Sequence, residues 1–204
     1  MKHSIDQSIS ALDDRFVIWC FDDVEDAYVP DELSDSADDM FDVLEVLTAE
    51  DIKNDLKFTV DADYPEYNIF PDSLGNTECV IPISPKLKEF LERKNIPNLL
   101  FIPVELLNHN ERVIKNYFLL HSIEEIDVID KEKTTILRVD SLNEDMYDKV
   151  QDLVLLNHRV SSDIQIFRVK GLYDVTCVTR ELANEIKECG FSGIYWKDIS
   201  TYRY

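Results

Sequence analysis

Two stretches of this chain, residues 80–104 (VIPISPKLKEFLERKNIPNLLFIPV) and 175–199 (VTCVTRELANEIKECGFSGIYWKDI), carry one pattern at a constant offset of 95 with no gap. Ser84 aligns with Thr179, and either side chain suits a helix N-cap, where its oxygen accepts from a backbone N–H that the first turn leaves unpaired. Pro85 follows the first cap, where its missing N–H costs nothing. Leu87 and Leu91 align with Leu182 and Ile186, the i, i+4 stripe of a helix with one buried face. Asn95 aligns with Gly190, the two residue types that best tolerate the left-handed position after a helix. Ile96, Leu99, Phe101 and Val104 then align with Phe191, Ile194, Trp196 and Ile199. Each copy reads as a strand, a capped helix of about ten residues and a second strand.

The rest of the chain supplies further strands. Residues 15–21 (RFVIWCF) form a short apolar run of β-branched and aromatic residues, which predicts a buried strand. An acidic segment to Asp39, with Pro30 inside it, reads as an irregular loop. Met40, Phe41, Leu44 and Leu47 share one helical face, and Thr48 caps a second short helix. Lys57–Val60, Thr135–Val139 and Leu153–Leu156 read as strands. Residues 64–76 carry Pro65, Pro71 and Gly75 and read as a connection. Val113–Ile129 is apolar with a helical or mixed pattern. DIQIFRVK at 163–170 alternates and ends at Gly171. Strands and helices interleave irregularly, so the expected fold is α+β, a mixed β-sheet with short capped helices and two similar strand–helix–strand units in the C-terminal part.

Charge divides the chain more sharply than hydropathy does. The formal charge is −21, yet residues 1–75 hold −17 of it and residues 76–204 only −4. Between Asp13 and Asp42 twelve acids face Arg15 alone. We therefore expect an acidic N-terminal region over 1–75 and an α+β domain over 76–204. A duplex-nucleic-acid binder needs a basic footprint, and docking on an anionic membrane is disfavoured for the same reason. Acidic loops are often merely solvated, and they raise solubility. The alternative is a surface built to meet a basic protein. Opposed patches raise encounter rates to roughly 10⁸–10⁹ M⁻¹s⁻¹ at low salt. On that reading the partner-binding residues are Asp22, Asp23, Glu25, Asp26, Tyr28, Asp31, Glu32, Asp35, Asp38 and Asp39, with Tyr28 an aromatic anchor inside a charged rim. Tyr64 sits among carboxylates in the same way. Core packing is the competing account of both tyrosines.

Catalytic patterns are missing from the sequence. The stretch FDDVEDAYVPDELSDSADD lacks the spacing of a calcium loop. The four glycines, at 75, 171, 190 and 193, leave no room for a phosphate-cradling loop. Cys20, Cys79, Cys177 and Cys189 form no Cys-x-x-Cys pair, so a zinc site is not expected, and buried or half-buried free thiols in a reducing cytoplasm are. His121, beside the stripe YFLL, reads as a core-edge histidine. His158 and Arg159 follow a predicted strand and are the place to look for a pocket if the chain is an enzyme. No catalytic residue, metal or cofactor is expected. No N-terminal secretory signal and no membrane-spanning run are read.

The ordered succession ISPKLKEFLE, LLFIPVEL, YFLLHSIEEIDVIDKEKT, IFRVKG and VTRELANEIKECGFSGIYW resembles the "immunity protein 11" family over roughly residues 70–199. The resemblance implies a non-enzymatic inhibitor that protects bacteria from a cognate toxin domain, with no catalytic residues to carry over. Together with the charge, it leads us to expect a cytoplasmic immunity protein whose acidic segment steers a basic toxin surface, with neither nucleic acid nor membrane as partner. Two competing readings are a stand-alone enzyme with a pocket near His158 and an acidic nucleic-acid mimic that binds host proteins.

Overall fold

The computed structural model describes residues 15–34, 56–141, 143–172 and 174–203. The helices expected at 40–47 and after Thr48 lie outside these residues, as do Asp35, Asp38 and Asp39. The described chain is α+β with mixed sheets. Its strands are β1 (Phe16–Phe21), β2 (Pro30–Leu33), β3 (Leu56–Val60), β4 (Ile81–Ile83), β5 (Leu99–Leu107), β6 (Val113–Ser122), β7 (Glu125–Ile126), β8 (Thr135–Val139), β9 (Tyr147–Gln151), β10 (Ile166–Val169), β11 (Thr176–Thr179) and β12 (Ile194–Asp198). The helices are α1 (Pro85–Arg93) and α2 (Arg180–Glu188).

The two copies fold alike, and the bounds of α1 and α2 differ by the same 95 residues as the sequences. Ser84 Oγ accepts from the Leu87 N–H at 3.2 Å, and Thr179 Oγ1 from the Leu182 N–H at 3.4 Å. Asn95 and Gly190 take φ of +50° and +73°. The structure adds what the alignment does not show. β4 and β5 do not pair with each other, because both pair antiparallel with β6, which lies between them. In the same way β1 lies between β11 and β12. Each copy is thus a split strand–helix–strand unit around a strand drawn from elsewhere.

Packing divides the chain into two compact units. The first comprises Met1–Cys20, Glu124–Glu188 and Trp196–Tyr204, and the second Phe21–Ile123 and Cys189–Tyr195. The expected division at 75/76 follows charge, and the line drawn by packing is a different one. β3, within the acidic part, pairs in parallel with β5, and this joins residues on either side of position 75 in one sheet.

The second unit holds the sheet β2-β3-β5-β6-β4. Ile102, Val104 and Leu106 of β5 pack with Leu56, Phe58, Tyr117 and Leu119 in one apolar cluster. Two expectations change here. Val113–Ser122, whose sequence pattern is helical or mixed, is a strand, because its residues pair with β5 along nearly the whole length of β5. Long-range pairing overrides the helical period. The acidic segment is also not irregular throughout. Pro30–Leu33 pairs antiparallel with β3 as an edge strand that buries Pro30 and Leu33 and exposes Asp31 and Glu32. Proline is tolerated at the first residue of an edge strand, and outward charge guards such an edge against pairing with another chain.

The first unit holds the sheet strands β1, β11, β10 and β7 and the ribbon β8-β9. Phe16, Ile18, Phe167, Val169 and Cys177 form its core with Leu153 and Leu155. Leu153 and Leu155 are buried, but Leu153–Leu156 is not a strand. Its backbone makes only a local bridge, Leu155 to Ile129, flanked by bonds from the Asp130 and Leu156 N–H groups to the Val154 and Val128 carbonyls at 2.9 and 2.7 Å. The strand lies just before it, at β9. β10 covers only Ile166–Val169 of the strand expected at 163–170, and Gly171 follows in the turn beyond it with φ +90°. All four cysteines are free. Cys177 is buried and Cys20 half-buried, but Cys79 and Cys189 are exposed, against expectation.

One half-buried acid in this unit gives a pH prediction. The Tyr202 hydroxyl lies 3.0 and 3.2 Å from the two carboxylate oxygens of Asp174. Burial nevertheless pushes the Asp174 carboxyl above its ordinary 3.8, the Tyr202 hydrogen bond opposing the shift. The folded state therefore keeps this proton to higher pH than the unfolded chain does. The associated stability is fully present below 3.8 and is lost as pH rises through the raised value. Denaturant midpoints of the wild type, taken relative to those of Asp174→Asn, should fall as pH is raised from about 4. Parallel pH profiles for the two proteins would refute the assignment.

Candidate functional site: an ordered acidic surface

The charged N-terminal segment is held in place by its backbone. After β1, the Asp22 N–H donates to the Gly193 carbonyl at 3.2 Å, and the Ala27 N–H closes a turn on Val24 at 3.1 Å. Asp26 in that turn takes φ +56°, a left-handed conformation that aspartate tolerates better than most residues. The Tyr28 N–H donates to the Ile69 carbonyl at 2.8 Å, and the Ile69 N–H to the Asp26 carbonyl at 3.0 Å. A second loop, 61–69, is thereby laced to the first. It consists of two successive turns, closed by the Tyr64 N–H on Asp61 at 3.1 Å and the Tyr67 N–H on Tyr64 at 3.2 Å. Pro65 supplies the preset φ of the second turn. The Asp61 carboxylate caps the Asp63 N–H at 2.8 Å.

Asp22, Asp23, Glu25, Asp26, Asp31 and Glu32 are all exposed on this scaffold. None of the six has an ion-pair partner among the described residues. Ion pairs of the same unit, Lys57 with Glu105 at 3.9 Å and Lys88 with Glu92 at 2.5 Å, lie elsewhere. Among the described residues the six therefore present a field of one sign on a fixed backbone.

Tyr28, expected as an interface anchor, is instead a core residue. It is 2% exposed and stacks on Phe70 with ring centroids 5.8 Å apart. Its hydroxyl lies 2.8 Å from the Leu107 carbonyl and 3.2 Å from that of Phe58. Burial pushes that hydroxyl above its ordinary value, so it stays protonated and serves as a donor inside the sheet. An aromatic surface lies in the second loop. Tyr64 is 42% and Ile69 48% exposed, and the rings of Tyr64 and Tyr67 stack with centroids 5.0 Å apart. The only sequence signal for this pair is the turn-forming Tyr-Pro-Glu-Tyr, which places two aromatic rings at the ends of one tight turn.

The other candidates do not converge. His158 is exposed on a short 3₁₀ turn, and neighbouring Arg159 donates to the Asp127 carbonyl at 3.0 Å. Among the described residues the His158 ring has no hydrogen-bond or ion-pair partner. His121 is half-buried in β6, opposite Leu100. Among the described residues no group of three or more His, Cys, Asp or Glu is placed to hold a metal ion, and no helix is long and apolar enough to cross a membrane.

These features define an α+β protein with a preordered acidic face that no ion pair among the described residues compensates. Its lineage is more specific than that. The pattern of the Immunity protein family (Imm11) matches residues 48–201, three quarters of the chain, and the protein belongs to that family. The loop at 61–69 falls inside the matched residues, and the acids at 22–32 precede them. No curated protein matches the chain.

Proposed function

We propose that this chain neutralises a cognate toxin domain by direct protein–protein contact in the cytoplasm, without chemistry of its own, and that its acidic surface steers a basic toxin surface into place. Membership of an immunity family supports a protein partner. The observation that carries the charge preference is the set of six exposed carboxylates between Asp22 and Glu32, without ion-pair partners among the described residues and fixed on a hydrogen-bonded backbone. Charges held this way need no rearrangement to present one sign to an approaching molecule, and field strength sets encounter rate more than final affinity. A toxin that grips nucleic acid through its phosphates carries the complementary basic groove. Asp35, Asp38 and Asp39 extend the acidic sequence.

The test is co-expression with the toxin domain encoded beside it, read as growth, followed by association kinetics with an inactivated form of that toxin. Changing Asp22, Asp23, Glu25, Asp26, Asp31 and Glu32 together to Asn or Gln should lower the association rate at low salt by roughly 10- to 100-fold and flatten its salt dependence. An unchanged rate would remove steering from the account. Failure of the wild type to protect would remove the account itself.

A further inference from the structure

The geometry points to Tyr64, Tyr67 and Ile69 as the docking anchor for a protein segment that presents an arginine or lysine beside an apolar side chain. This rests on the toxin-binding reading and names where on the chain the contact is made. The three residues spend apolar surface on water, with Tyr64 and Ile69 at 42% and 48% exposure. Their surface is already ordered. The Tyr64 and Tyr67 rings stack at 28° between planes, and the backbone beneath is closed by the two turns and by the bonds joining Ile69 to Asp26 and Tyr28. An anchor ordered before binding loses little conformational entropy when it is covered.

Charge complementarity selects the occupant. Asp63 adjoins Tyr64, Glu66 lies between the two tyrosines, and the Asp26 carbonyl accepts from the Ile69 N–H. All three acids are exposed and lack an ion-pair partner among the described residues. An acidic segment is repelled here. A guanidinium or ammonium is attracted twice, by the carboxylates and by the ring faces. The chain makes the same contact internally, since the Lys115 ammonium lies 5.4 Å over the Phe70 ring. The arrangement has the anatomy of an interface hot spot, an aromatic and aliphatic centre within a charged rim. The acids at 22–32 bring the partner in, and this patch holds it.

The test uses the full chain and the double variant Tyr64→Ala/Ile69→Ala. Both side chains are exposed, so circular dichroism and the urea midpoint should match the wild type. Two probes are used: the inactivated toxin domain encoded beside the chain, and a synthetic peptide of alternating Arg and Leu with a Glu–Leu counterpart. Affinity of the double variant for the toxin should fall by roughly tenfold or more, mainly through faster dissociation. The Arg–Leu peptide should perturb amide resonances of residues 64–69 in the wild type and not in the variant, and the Glu–Leu peptide in neither. A toxin that binds wild type and variant equally overturns the anchor and leaves the proposed function standing. If the wild type binds no toxin, that function falls and the peptides decide alone. Perturbation by Arg–Leu confined to 64–69 supports the anchor, and no perturbation, or equal perturbation by both peptides, overturns it.

Discussion

Alanine at Gly193 should cost roughly 3 kcal/mol of stability or more, combining a left-handed backbone with a steric overlap. The residue sits at φ +77°, and an added Cβ would lie 2.0 Å from the Ser73 carbonyl oxygen and 2.8 Å from Pro71 Cβ. Nothing there swings aside, because the 71–73 segment is pinned on every side. The Ser73 N–H donates to the Ser192 carbonyl at 3.0 Å, the Asp72 carboxylate takes the Ser192 N–H at 3.1 Å and the Ser84 hydroxyl at 2.7 Å, and the Tyr117 hydroxyl donates to the Pro71 carbonyl. Gly190 is the internal control. Its φ is +73°, but an added methyl would meet nothing within 4 Å, so Gly190→Ala should cost only about 1 kcal/mol. Gly190→Asn should cost less still, since Asn95 fills the equivalent place in the first copy at φ +50°. Urea midpoints check the series. Equal losses for the alanines at 190 and 193 would refute the steric argument.

The second large effect is expected in the first unit. Phe167 is fully buried, and its ring meets that of Phe16 edge-on at 5.1 Å and 85°. The Arg15 guanidinium lies over Phe16 at 4.6 Å and is held there by bonds to the Val160 and Ser161 carbonyls at 3.0 and 2.7 Å. Phe167→Ala removes one ring of an edge-to-face pair whose other ring is held under Arg15, so the cavity has little freedom to close. The loss should be about 3–5 kcal/mol, measured by chemical denaturation. Phe167→Leu, which keeps much of the volume, should recover about half of it. A loss below about 1 kcal/mol would mean that the site collapses around the gap.

Local signals in the sequence are reliable where the physics is local. Caps, helix stripes and left-handed helix ends depend on a few neighbouring residues, so Ser84, Leu87, Asn95 and their partners at 179, 182 and 190 are readable without a structure. Pairing is not. Val113–Ser122 has an ambiguous period, and only β5 and β4 alongside it make it a strand. Pro30–Leu33 reads as irregular because two of its four residues are acids, yet β3 offers it an edge. The acidic surface is legible as charge. Its aromatic content is not, because sequence cannot tell which tyrosine near a carboxylate turns inward: Tyr28 reaches the Leu107 carbonyl, while Tyr64 has a turn beneath it and water above.

The placement of β1 between β11 and β12 has a bearing on biosynthesis. Phe16–Trp19, among the most apolar residues of the chain, emerge from a ribosome long before Thr176. At ordinary translation speeds that interval is roughly 8–30 s. Until then this hydrophobic stretch has neither neighbour on its two edges. A message cut short, or a stalled ribosome, would release a sticky segment in place of a partly finished sheet, which makes the nascent protein a ready substrate for chaperones and quality-control proteases.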